Sequence, residues 1–258
     1  MGAAYVVEWL KLRRSRVPRV TAAALLVLPA VIAALFLAMA DRDRGDAMSL
    51  KAQALVTRDG WAGYLDALTQ IYASAGLLGM GVVVAWCFGR EYADRTVASL
   101  FGSATPRESV AAAKLAVLTV WCTGVSLALV PATLLVGLGA GLGLPDGDAL
   151  AGLVRLVVLS LLTGLSALTI ALFASVGRGY LPAFGGLVGL VGLVAAAQVA
   201  VVAGAGGWFP YAVPGLWTVA SATPTLGTVP VWHLLFVPCS AAVVGALTVA
   251  WWRRAELS

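Results

Sequence analysis

Long apolar runs separated by short polar stretches make up the whole chain. Each run is long enough to cross a bilayer, which takes about 20 apolar residues as helix. The pattern predicts six spans, at residues 20–40, 64–88, 109–139, 150–176, 180–204 and 231–252. Residues 1–19 precede them with a shorter period. Tyr5, Val6, Trp9 and Leu12 share one helical face and Glu8, Lys11 and Ser15 the other, so a helix lying in the membrane interface is expected, with Trp9, Lys11, Arg13 and Arg14 meeting the headgroups. Pro18 is expected to mark the bend into the first span. Ala38-Met39-Ala40 resembles a cleavage site, but the apolar run before it exceeds a signal core, so the span is read as retained.

The densest charge between two spans lies at 89–108. There Ala93, Val97, Leu100, Phe101 and Ala104 recur at helical spacing, while Glu91, Asp94, Arg95, Ser99 and Ser103 take largely the other face. Glu91 and Arg95 have the favourable i,i+4 order. Thr105-Pro106-Arg107-Glu108 reads as a capping box with Thr105 as N-cap and Pro106 at the first helical position. A short amphipathic helix at the water interface is therefore expected, as a plain connector or as a surface offered to a partner. Residues 41–63 read as a polar loop. Residues 205–230 are apolar and aromatic but broken by Pro210, Pro214 and Pro224. They fit either an external loop with interfacial Trp and Tyr or a pair of short helices dipping back into the outer leaflet.

Composition agrees with a membrane protein: 61% of residues are hydrophobic and 11% charged, against about 25% charged in soluble domains. Twelve Lys and Arg fall on the side of the two termini and the 89–114 connector, and four in residues 41–63. That bias places both termini and the connector in the cytoplasm. The net charge of +5 is spread over span ends, with no basic groove for nucleic acid.

Chemistry-bearing patterns are scarce. The sequence holds no P-loop and no HExxH, and its one histidine, His233, cannot build a metal site or a hydrolytic triad. No catalytic residue, metal or cofactor is assigned to this chain. Cys87, Cys122 and Cys239 lie in apolar runs and are expected to be buried free thiols. Polar residues inside spans are Asp66, Gln70, Arg155, Gln198 and His233. Asp66 and Arg155 lie near span ends and can snorkel, while Gln70 and Gln198 are candidates to line a pathway. No carboxylate relay or arginine-rich span points to an ion-driven pump or a voltage sensor.

The layout resembles the permease subunits of type-2 ABC exporters, in particular bacitracin- and drug-export permeases. The resemblance rests on residues 8–16 before the first span and on Glu91, Arg95-Thr96-Val97, Leu100, Thr105-Pro106-Arg107 and Lys114 around the connector. The Pro-rich stretch 208–214 resembles the family's external re-entrant region. The resemblance implies a single all-α permease domain over residues 1–258, in the plasma membrane. It implies a coupling helix near 92–103 seated on a separate ABC ATPase, present in two copies, with ATP and magnesium on that partner. Glu91, Arg95, Val97, Leu100, Phe101 and Arg107 would be the coupling residues, supported by the N-terminal helix. The second and fifth spans would line a path shared with a second permease, identical or homologous. The substrate would be a small molecule, drug, peptide or lipid-like compound. The competing class is a secondary transporter or channel working without an ATPase, which calls for inverted repeats or coupling-ion carboxylates.

Overall fold

The computed structural model describes residues 2–40, 47–56, 58–94, 106–202, 207–222 and 230–254. Helix α1 (Gly2–Arg14) leads into α2 (Arg16–Ala40), and α3 (Ala47–Leu55) precedes the long α4 (Gly60–Ala93). After the connector come α5 (Arg107–Gly139), α6 (Gly147–Ala167), α7 (Ile170–Val176) and α8 (Tyr180–Val202). Then follow α9 (Val213–Ala222), a 3-10 turn (Val231–Leu235) and α10 (Phe236–Arg254). Among the described residues there is no strand. Six of these units are long and apolar enough to cross a membrane: Arg16–Ala40, Gly60–Ala93, Arg107–Gly139, Gly147–Val176, Tyr180–Ala200 and Val231–Arg254. Large apolar side chains stay exposed along them, including Leu28 and Leu35 of α2, Leu135 of α5 and Val188 and Val199 of α8. In lipid that surface meets acyl chains and carries no cost.

Helix α4 is the axle. It packs against α2, α6, α7, α8 and α9, and Tyr64, Leu68, Tyr72, Met80, Val84 and Phe88 are fully enclosed along it. Inside the bundle, where no water satisfies a hydroxyl, polar groups find one another. Ser126 of α5 lies 2.7 Å from Ser160 of α6, whose hydroxyl donates to Tyr72 of α4 at 3.1 Å. At the far end the Trp61 ring abuts α5 at Gly137 and its indole N–H donates to the Gly143 carbonyl at 3.1 Å. Any Cβ at Gly137 would enter that ring. Gly141 and Gly143 take positive φ (84° and 71°) to turn the chain into α6, where the Asp146 carboxylate caps the helix by accepting from the Ala149 N–H at 2.8 Å.

Length decides how the elements meet the membrane. At 34 and 33 residues, α4 and α5 are each about 50 Å long, against a hydrocarbon core of about 30 Å. Their ends therefore project beyond the apolar layer. The first, second, third, fourth and sixth spans begin earlier or end later than the hydropathy alone places them, the second most of all, because the helix continues through polar residues once neighbours pack on it.

Several sequence expectations change. The loop expected at 41–63 contains α3, which rests on α2 with Ser49 and Ala52 buried. Helix α4 starts at Gly60, whose φ of 61° favours glycine. Pro106 is itself the N-cap of α5, one residue later than the expected cap, and the expected N-cap Thr105 lies outside the described residues. The break into the first span falls at Ser15, with Pro18 in the first turn of α2, where its missing N–H costs nothing. Cys87 and Cys122 are buried, but Cys239 is exposed on α10.

The Trp61 contact gives a direct test of packing. Gly137→Val is expected to destabilise the protein by about 1–3 kcal/mol through overpacking. Gly139→Val, two residues on and facing open space, serves as the control with a much smaller loss. Thermal melting of both variants in the same detergent reads the difference.

Candidate coupling site at the roots of the connector

The connector leaves α4 after Ala93 and rejoins the described chain at Pro106. Four charged side chains gather where it is rooted. Glu8 and Lys11 come from α1, Glu91 from the last turn of α4, and Lys114 from the second turn of α5. Lys114 is fully buried, yet all three of its N–H donors are used. They reach Glu8 Oε2 at 2.8 Å, Glu91 Oε1 at 2.9 Å and the Cys87 carbonyl at 3.1 Å. Lys11, at the rim, donates to Glu8 Oε1 at 2.7 Å and Glu91 Oε1 at 3.1 Å. Each carboxylate thus bridges both lysines, and the cluster is neutral.

The local sequence explains the meeting. Ala4, Glu8 and Leu12 recur every four residues and form the buried stripe of α1. Leu12 joins the apolar core while Glu8 aims its carboxylate between α4 and α5. This corrects the expected orientation of α1, in which Glu8 sits on the polar outer face. Tyr5 and Trp9 are half-buried against the core, whereas Val6 stands exposed. The exposed Arg13 and Arg14 fall at the helix C-terminus, where cations complement its dipole.

Aromatic contacts extend this junction. Lys114 Nζ lies 5.9 Å from the centre of the Phe88 ring. Phe88 and Tyr92 meet Trp252 of α10 edge-on at 6.1 and 6.5 Å. The Trp252 indole N–H donates to Ser175 of α7 at 2.9 Å. The end of α4 is therefore joined to α1, α5, α7 and α10 at once.

Of the coupling residues expected from the sequence, Glu91 is buried inside this cluster at 3% exposure. Arg107 opens α5, half-buried. Arg95, Val97, Leu100 and Phe101 lie outside the described residues. The two pathway candidates separate: Gln70 borders a cavity with Arg155, and Gln198 lies against Gly215. Glu8 and Lys114 are the residues that sequence reasoning leaves unpaired. The available signal is a lone acid among five cations in residues 1–19 and a lysine within an apolar run. Among the described residues no group of three or more His, Cys, Asp or Glu could hold a metal.

Removing one member of a buried ion cluster leaves the others uncompensated, at a cost of about 3–5 kcal/mol. Lys114→Met is expected to lose that much, and Glu8→Gln/Lys114→Met less than the sum of its single variants. A double-mutant cycle of thermal stabilities in detergent measures the coupling; strict additivity would show the pair to be independent.

No curated protein matches the chain. The family model described as ABC-2 family transporter protein matches residues 5–196, a stretch that takes in α1, the charge cluster, the connector and most of the bundle. The chain therefore belongs to the ABC-2 transporter family, as a multi-pass membrane permease of a kind that works with an ATPase subunit.

Proposed function

We propose that this permease exports a small molecule, drug, peptide or lipid-like substrate, driven by a separate ATPase that docks on the connector between α4 and α5. Both termini and the connector face the cytoplasm of the plasma membrane in this reading, as the Lys and Arg bias favours. ATP and magnesium belong to the ATPase. Two ATPases and two permeases, identical or homologous, complete the transporter, with Gln70 and Gln198 as candidates for the path.

The observation that carries the reading is the neutral cluster of Glu8, Lys11, Glu91 and Lys114 at both roots of the connector. A force applied to the connector reaches α1, α4 and α5 together, because a buried ion cluster resists separation. This divides the expected coupling roles. Glu91 holds the root from within, while Arg95, Val97, Leu100, Phe101 and Arg107 are left for the docking surface. The segment between α8 and α10 supports the re-entrant reading of residues 205–230. Thr169 lies 22 residues beyond Gly147, about 33 Å along the fourth span, and its hydroxyl donates to Tyr211 at 3.0 Å.

Purifying the tagged full chain from its own host tests the coupling. A P-loop ATPase is expected to co-purify with the wild type. The Leu100→Asp/Phe101→Asp variant is expected to insert normally and lose the ATPase. A wild-type chain recovered alone in normal amount would overturn the reading.

A further inference from the structure

At the end of the bundle opposite the connector, α4, α6 and α9 enclose a cavity of about 110 Å³. Its wall includes Arg58, Asp66, Gln70, Asp148, Arg155 and Thr218. It is smaller than an engineered apolar cavity of about 150 Å³ that accepts a benzene, so it takes one end of a ligand while the rest stays at the mouth beside the exposed Asp148. Gly152, with Ala62 and Ala151, keeps the walls low; a Cβ on Gly152 would stand 2.7 Å from Leu65 Cδ1.

The charges around the cavity are not equivalent. Arg58 clasps Asp66 with two parallel bonds, Nε to Oδ2 at 2.8 Å and Nη2 to Oδ1 at 2.7 Å. That pair is closed. Arg155, by contrast, makes no hydrogen bond or ion pair among the described residues, and neither does Gln70 or Asp148. Arg155 lies eight residues into α6 and Gln70 ten into α4, about 12 and 15 Å below the helix starts. Half-buried at the cavity wall, the Arg155 guanidinium has N–H donors to offer an anion. Thr218 donates its hydroxyl to the Gly215 carbonyl, so it offers the cavity only an acceptor. Asp148, exposed in the first turn of α6, stands at the mouth, seven residues and hence two turns above Arg155 on the same face.

We propose that this cavity binds a small zwitterion, its oxyanion held by the Arg155 guanidinium and the Gln70 amide and its ammonium by Asp148. Such a group comes either from a zwitterionic lipid headgroup or from a free solute; the recognition chemistry is the same. The site is independent of the connector, and its failure would leave the ATPase reading untouched.

The test uses the full chain in lipid-free detergent, with O-phosphoethanolamine, inorganic phosphate and detergent-solubilised phosphatidylethanolamine as probes and calorimetric titration as readout. Phosphoethanolamine is expected to bind, with inorganic phosphate about tenfold weaker or worse for want of the ammonium. Arg155→Gln is expected to weaken phosphoethanolamine at least about tenfold, and Asp148→Asn to bring the two soluble probes to similar affinity. Gln70→Leu, expected to weaken phosphoethanolamine severalfold, stands in if Arg155→Gln does not give a folded protein. Phosphatidylethanolamine binding tighter than the soluble probe assigns a lipid source, and weaker binding a solute source. No binding by any probe, equal affinity of the wild type for phosphate and phosphoethanolamine, or unchanged binding in a folded Arg155→Gln would overturn the proposal.

Discussion

The cost of burying a lysine governs the connector end of this protein. An ammonium removed from water loses several kcal/mol of solvation, and Lys114 is enclosed completely. It can stay charged only if opposite charges and acceptors surround it, and Glu8, Glu91 and the Cys87 carbonyl do so. Those partners come from α1 and α4, both far from α5 in sequence. The requirement to satisfy one side chain therefore determines where α1 must lie, how α4 must end and how α5 must begin.

From that junction the rest of the bundle can be followed as a chain of contacts. Phe88 carries it to Trp252 and Ser175, so the last helix and the end of the fourth span share the same anchor. Along α4, Tyr72 joins the hydroxyls of Ser126 and Ser160, and at the far end Trp61 seats against Gly137. Between these fixed points the interior is mostly apolar with scattered buried threonines and serines such as Thr69, Thr163 and Ser166, and helices approach through small residues because lipid supplies no hydrophobic drive to press them together.

The two ends of α4 are thus electrically different. At the connector end two acids and two lysines cancel within one cluster, with Lys114 enclosed and Lys11 at the rim. At the opposite end Arg58 and Asp66 cancel, but Arg155, Gln70 and Asp148 border the cavity without a hydrogen bond or ion pair among the described residues.

By itself the sequence determined the membrane class, the six apolar units and the position of the charged connector. These follow from local composition and from the length of helix needed to cross a bilayer, both of which can be counted along a chain. It also marked 89–108 and the N-terminal helix as the unusual polar elements, through spacing that repeats every turn. Tertiary structure alone decided which face of α1 turns inward, because Glu8 looks like an ordinary surface acid until Lys114, 106 residues away, is brought beside it. It likewise set the helix of residues 47–55, rich in Ala, Leu and other helix formers, against α2, and gathered Arg155, Gln70 and Asp148 around one cavity. Pairings between charges on different helices depend on how those helices are rotated and how far they slide. That is set by the fit of whole surfaces, and no stretch of one helix contains it.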